Sequence, residues 1–278
     1  QNGVEVGTEI HFRHAERFHK PLIIAVNGLD HEKANFEKTV EMLHERFGSN
    51  VTLAQFPVNE GLGFNTVIDV ISMKMLRYGK DGGKAEVLDI PAEHKAKADE
   101  LHAALTEKVA ESDEALMELF FANDKLSEEE IGRGLREGLL KRGIFPVFFV
   151  SSKGNIGIDR LLDFVAVSAP SPADMPAVKN SKGTEVKCTA AGPASVFVFK
   201  TTLEEHIGEI NYFRVMSGKV TENFDAVNTS NGTKERLSQI FACAGKNRTR
   251  IPEIHAGDIG GFVKLKNTKT NHTLNAPG

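Results

Sequence analysis

Four residues at two distant places carry groups suited to holding the edge of one heteroaromatic ring. Asn27 and Asp30 lie in the run Asn27-Gly28-Leu29-Asp30, and Ser151 and Ser152 open the run Ser151-Ser152-Lys153. A carboxylate accepts two adjacent N–H donors at once, as guanine presents at N1 and N2. It repels adenine, which offers an acceptor where guanine offers a donor. Asp30 supplies such a carboxylate. Asn27 could pin its loop and reach the purine's other edge, and a backbone N–H near Ser151–Ser152 could donate to O6. A plain structural reading stands beside this one, because Asn-Gly is among the commonest turn dipeptides.

Both runs follow continuous apolar stretches, Pro21–Val26 and Phe145–Val150. An apolar run that stops in polar residues is how a parallel strand, covered on both faces, delivers its carboxyl end to a ligand crevice. Thr8 is placed to cap a helix carrying Ile10, Phe12, Ala15 and Phe18. Asn35 is placed to cap a second with Phe36, Val40, Leu43 and Phe47 on one stripe, closed by Gly48. Helix, strand, loop, helix is the rhythm of an α/β sheet with crossover connections. From about residue 51 to 142 that rhythm breaks. Strand-like pieces at Val51–Pro57 and Thr66–Met73 precede a Gly-rich turn at Gly79–Gly83 and a charged helix after Pro91. Ser127 and Glu130 then form a capping box. Sheet rhythm resumes at Ile144, with a final helix over Ile158–Val167. Residues 1–169 therefore read as one α/β domain holding a mixed α/β insertion.

Residues 170–192 read as a linker, from Pro170, Pro172, Pro176 and the polar run Asn180–Thr184. Beyond it, residues 193–278 switch to short strands at Val196–Thr201, Ile210–Met216, Ala226–Thr229, Arg236–Phe241 and Ile259–Leu265. Asn231-Gly232 marks a hairpin between two of them. Short strands with frequent turns predict a closed β-barrel.

With 40% hydrophobic and 26% charged residues, the composition is that of an ordinary soluble protein, and no stretch is long and apolar enough to span a bilayer. The start at Gln1 is polar and lacks Met, which leads us to expect an internal fragment. Cys188 and Cys243 have no Cys-x-x-Cys pairing, so they read as reduced thiols of a cytoplasmic protein. Residues 1–178 carry 20 Lys+Arg against 29 Asp+Glu, whereas residues 179–278 carry 14 against 9, which suggests different partners for the two parts.

Other clusters read as structure. His11 and His14 with Glu16 read as an exposed helix face rather than a metal site, and Glu128–Glu130 complement a helix dipole. Gly79-Lys-Asp-Gly-Gly-Lys84 has the wrong spacing for a phosphate loop, and Ala85 stands where a metal-holding Ser/Thr is needed. Lys264, Lys266 and Lys269 fit two readings: lysines that guard a sheet edge, or a basic face set against RNA phosphate.

Taken together, the chain resembles bacterial elongation factor G, a translational GTPase. The resemblance runs through Ala110–Glu118, Leu126–Ile131 and Pro146–Ser152. It is most specific in Val196–Thr201, Gly208–Gly218 and Ala256–Ile259. It implies a partial P-loop GTPase-type parallel sheet with the insertion, followed by a translation-factor barrel. Asn27 and Asp30 then match the Asn-Lys-x-Asp motif, with Gly28 replacing its Lys, and Ser151–Ser152 match the Ser-Ala loop. The lost Lys stem would weaken base stacking by roughly 1–3 kcal/mol.

The resemblance further implies GTP or GDP with Mg²⁺ in a parent protein, and the ribosome, its RNA and proteins, as partner. It implies neither membrane nor DNA. The family's phosphate loop, Mg²⁺-holding Thr and switch His are not in this sequence, and phosphoryl transfer depends on such groups. We therefore assign no catalytic or metal-binding residue and expect this chain alone to bind nucleotide weakly or not at all and not to hydrolyse it. The activity implied for the parent is GTP-dependent ribosomal translocation. The alternatives are a ribosome-binding paralogue with impaired or lost GTP binding, and a ribosome-protection protein.

Overall fold

A computed structural model describes residues 2–205, 208–245 and 247–277, and divides the chain into two compact units, Gln1–Pro170 and Ser171–Gly278. In the first unit the elements run α1 (Val6–Arg17), β1 (Ile24–Asn27), α2 (Phe36–Phe47), β2 (Val51–Leu53), β3 (Gln55–Pro57), β4 (Thr66–Asp69), β5 (Lys74–Arg77) and β6 (Glu86–Leu88). They continue with α3 (Ala92–Ala110), α4 (Glu114–Asn123), α5 (Glu128–Leu140), β7 (Phe145–Val150) and α6 (Ile158–Ser168).

The parallel sheet has the order β1-β7-β2, with Asn27 opposite Val150 at one end and Val51 opposite Phe145 at the other. Every residue of β7 is buried, and the alternation of side chains along a strand explains how. Phe145 and Phe149 meet Phe12 of α1 and Phe36 of α2. Phe148, on the opposite face, meets Phe164 of α6. Helices on both faces require apolar residues at every β7 position, which is why its sequence is continuous rather than alternating. Asn35 caps α2 by accepting from the Lys38 N–H, and Gly48 closes that helix at φ +81.

Two expectations are corrected in this unit. Thr8 does not cap α1; the helix begins three residues earlier, after Glu5, and Thr8 lies inside it. Val51–Leu53 belongs to the parallel sheet, so the departure from it starts after Leu53, where the Ala54 N–H still bonds the Val147 carbonyl at 3.0 Å. The charged helix expected after Pro91 stands as α3, and a separate α4 follows it, capped by Asp113 through the Leu116 N–H.

Strands β3-β4-β5-β6 form an antiparallel sheet in chain order. Its Phe56, Val67 and Ile68 share one continuous core with Phe148 and Leu135. The inserted sheet and the parallel sheet are thus halves of one body.

The second unit begins with a small hairpin, β8 (Val178–Lys179) and β9 (Glu185–Val186), inside the expected linker. Then follow β10 (Ser195–Glu204), β11 (Gly208–Ser217), β12 (Lys219–Thr221), β13 (Phe224–Asn228), β14 (Thr233–Leu237), β15 (Ile240–Ala244), β16 (Asn247–Ile251), β17 (Glu253–His255), β18 (Ile259–Val263) and β19 (Thr273–Asn275). Eight of them form a sheet in the order β14-β13-β19-β10-β11-β18-β15-β16, and β12 pairs with β17. Strand β14 lies at one edge and β15 next to the other, yet only Ser238 and Gln239 join them. The sheet must therefore curl until its edges approach, as in a barrel, around Val198, Phe213, Leu237, Ile240 and Phe262. The single strand expected over Arg236–Phe241 is broken there. Leu237 and Ile240 are both fully buried in this core, and a straight strand would send residues three apart to opposite faces.

Candidate nucleotide-base site

The ends of β1 and β7 are tied together by backbone and side chain. The Val150 carbonyl accepts the N–H of Gly28 at 3.1 Å and of Leu29 at 3.5 Å, so the chain folds over the end of β7 as it leaves β1. Gly28 makes this turn at φ +87, a conformation in which a side chain costs energy. Leu29, 4% exposed, anchors the turn in the core. Asp30 follows, half-buried, and its carboxylate has no hydrogen-bond or ion partner among the described residues.

From the other strand, Ser151 is fully buried and exchanges both backbone hydrogen bonds with Ile156. Its hydroxyl oxygen accepts the Gly154 N–H at 2.9 Å. Ser151 thus shapes its loop from inside. The N–H of Ser152 donates to the Asn27 side-chain oxygen at 2.9 Å. Asn27 and Ser152 are therefore brought together. The amides of Ser151 and Ser152 both have partners, so a donor near them has to come from farther along the loop. Lys153, exposed at the tip of the turn, carries the next amide along the chain.

Loops of the inserted sheet stand behind both runs. The Gly61 N–H donates to the Leu29 carbonyl at 2.8 Å, and the Glu60 carboxylate accepts the Phe36 N–H at 2.7 Å. The Gly83 N–H donates to the Asn155 carbonyl at 2.9 Å. Just past the second loop, the first turn of α6 grips the inserted sheet. Arg160 pairs with fully buried Asp69 at 2.6 Å, and Asp159 accepts from the Tyr78 hydroxyl at 2.8 Å and from the Ala85 N–H. Burial, and then the Asp159 carboxylate, push the Tyr78 hydroxyl far above the ordinary phenol range. Glu60, Gly61, Tyr78 and Asp159 had no sequence signal. The Gly79–Gly83 run did, as a glycine-rich turn whose neighbour was unknown.

A cavity of about 270 Å³ borders β1 along Ile24–Asn27, walled by Asn2–Glu5, Thr39 and Leu43. A larger one, about 660 Å³, lies at the start of β7 among Phe12, Arg46, Arg142 and Phe145. The second sits at the wrong end of the parallel strands for a crevice at their carboxyl ends. Among the described residues no group of three or more His, Cys, Asp or Glu is arranged to hold a metal, and His11 and His14 are exposed.

In the second unit, Lys264, Lys266 and Lys269 are exposed in the loop that follows β18. That strand is interior, paired with both β11 and β15, so the lysines do not guard a sheet edge. Glu235 and Asn228 anchor their loop by bonding Asn267, Thr268 and His272.

Residues 1–171 match the model of the elongation factor Tu GTP binding domain, and residues 193–276 match that of elongation factor G domain 2. The fold is similar to a crystal structure of a protein from Thermus thermophilus, with a TM-score of 0.84 at 23% identity. All of this chain is covered in that superposition, and it spans 39% of the other chain. No helix among the described residues is long and apolar enough to cross a membrane.

Proposed function

Because the chain belongs to the elongation factor Tu GTP-binding-domain family of translational GTPases, we propose that it serves an elongation factor G-like protein promoting GTP-dependent translocation on the cytoplasmic ribosome. What supports this most is the order of the two matches, the GTP-binding domain followed by elongation factor G domain 2. Within it, Asn27, Asp30 and the Ser151–Ser152 loop form the guanine-recognition half-site. Asp30 takes the N1 and N2 donors, Asn27 and buried Ser151 hold the loop, and an amide past Ser152 meets O6. The anchored Lys264–Lys269 loop contributes positive charge toward ribosomal RNA. The test is ribosome-stimulated GTP hydrolysis and mRNA movement by the full-length protein. Stimulation by ribosomes with coupled movement is the expected result.

A second reading is favoured by Gly28, which stands at φ +87 where the family motif has Lys. In it the protein binds ribosomes but has lost tight nucleotide binding. Ribosome binding that is indifferent to GTP, without stimulated hydrolysis, would select it over the first.

A further inference from the structure

The inserted sheet makes direct backbone contact with each run of the half-site. The β3–β4 loop reaches the first run through the Gly61 N–H and the Leu29 carbonyl. The β5–β6 loop reaches the second through the Gly83 N–H and the Asn155 carbonyl. At the second place the approach is closer than any side chain would allow. A Cβ on Gly82 would stand 2.1 Å from the Gly154 carbonyl oxygen and 2.5 Å from that of Asn155. Both of those atoms are backbone, so relief requires the Ser151–Ile156 loop or the Gly79–Gly83 loop to move as a whole. The Ser151–Ile156 loop has little slack, because Ser151 is fixed at both its N–H and its hydroxyl, and Ser152 at its N–H.

We infer that the inserted sheet is the positioning frame of the base site, and that Gly82 is the residue through which it sets the Ser152–Lys153 amides. This rests on the guanine reading of the half-site. Mechanically, it makes the insertion a lever on base affinity. Any partner that tilts β5 and β6 against α6 shifts the loop whose amides meet O6. Such a lever requires backbone packed against backbone, since flexible side chains would absorb the displacement.

Two substitutions separate positioning from general damage. Gly82→Ala imposes the collision. Gly48→Ala imposes a left-handed backbone cost at the end of α2, at φ +81, with nothing within 4 Å of the new Cβ. In this chain, Gly82→Ala is expected to move the amide resonances of Ser152 and Lys153, whereas Gly48→Ala leaves them in place although it too lowers the melting temperature. In the full-length protein, Gly82→Ala is expected to weaken GDP binding about tenfold, as loss of one well-placed hydrogen bond does. Unmoved resonances in Gly82→Ala, or equal movement in Gly48→Ala, would overturn the inference. So would unchanged GDP affinity in Gly82→Ala where the wild type prefers GDP to ADP. A wild type with no such preference removes the guanine reading alone, and the resonances then decide whether the frame positions the loop.

Discussion

Ser152 donates its backbone N–H to the side-chain oxygen of Asn27 at 2.9 Å, joining residues 125 apart in sequence. This bond makes one surface of two strand ends that lie before and after the inserted sheet in the chain. Asn27→Ala should free the Ser152 amide. Hydrogen exchange at that amide is expected to quicken about tenfold, with about 1 kcal/mol of stability lost. An amide that exchanges as slowly as before would mean that Asn27 is not what protects it.

Gly28 can be probed by two substitutions together. No atom lies within 4 Å of a Cβ built there, so space is available, but φ +87 costs any side chain about 1 kcal/mol. Gly28→Ala carries that cost alone. Gly28→Lys carries it and adds a methylene stem over the base, worth roughly 1–3 kcal/mol. In the full-length protein the Lys variant should bind GDP about fivefold or more tighter than the Ala variant. Equal affinities would mean that a stem at this position does not reach the base.

Tyr78 predicts an alkaline limit for the first unit. Its hydroxyl is held above the ordinary value of 10.0, first by burial and then by its bond to Asp159. The unfolded chain therefore releases this proton at a lower pH than the folded chain does. The contribution to stability is complete below pH 10.0 and is lost progressively as the pH rises above it. Urea denaturation between pH 8 and 11 should show this decline, and Tyr78→Phe should flatten it. A decline of the same slope in the variant would assign the effect to other groups.

Asp69 is fully buried and Arg160 keeps only 21% of its side chain exposed, so the pair is largely desolvated. Arg160→Met leaves a buried carboxylate whose remaining hydrogen-bond partner among the described residues is Ser72. The first unit should lose about 3 kcal/mol in denaturant unfolding. The double variant Asp69→Asn with Arg160→Met should recover part of that, because no uncompensated charge remains. No recovery would place the loss in packing of the Arg160 stem.

The elements that could be read from the sequence are those decided by neighbours along the chain. Asn35, the Ser127–Glu130 capping box and the Asn231–Gly232 hairpin each satisfy backbone groups within a few residues, and all three stand as expected. The unbroken run Phe145–Val150 announced a strand covered on both faces. The pairing of Val51–Leu53 was hidden, because three residues carry no period and the partner strand is far away in the chain. At the candidate site, the residue types at the two strand ends were legible. The occupation of the Ser152 amide and the bracing by Gly61 and Gly82 were not, since both depend on where the inserted sheet comes to rest.

The strand order β1-β7-β2 also sets a schedule for synthesis. The two outer strands are made first and do not touch each other, and the strand that joins them is made last of the three. A growing chain that has not yet reached Phe145 cannot join β1 to β2, however well its helices form. The half-site is then completed only when Ser151 and Ser152 emerge behind β7. Non-local pairing of this kind is slow and leaves apolar strands waiting for a partner. During that interval the inserted sheet, whose strands are complete at Leu88, offers a surface against which they can rest.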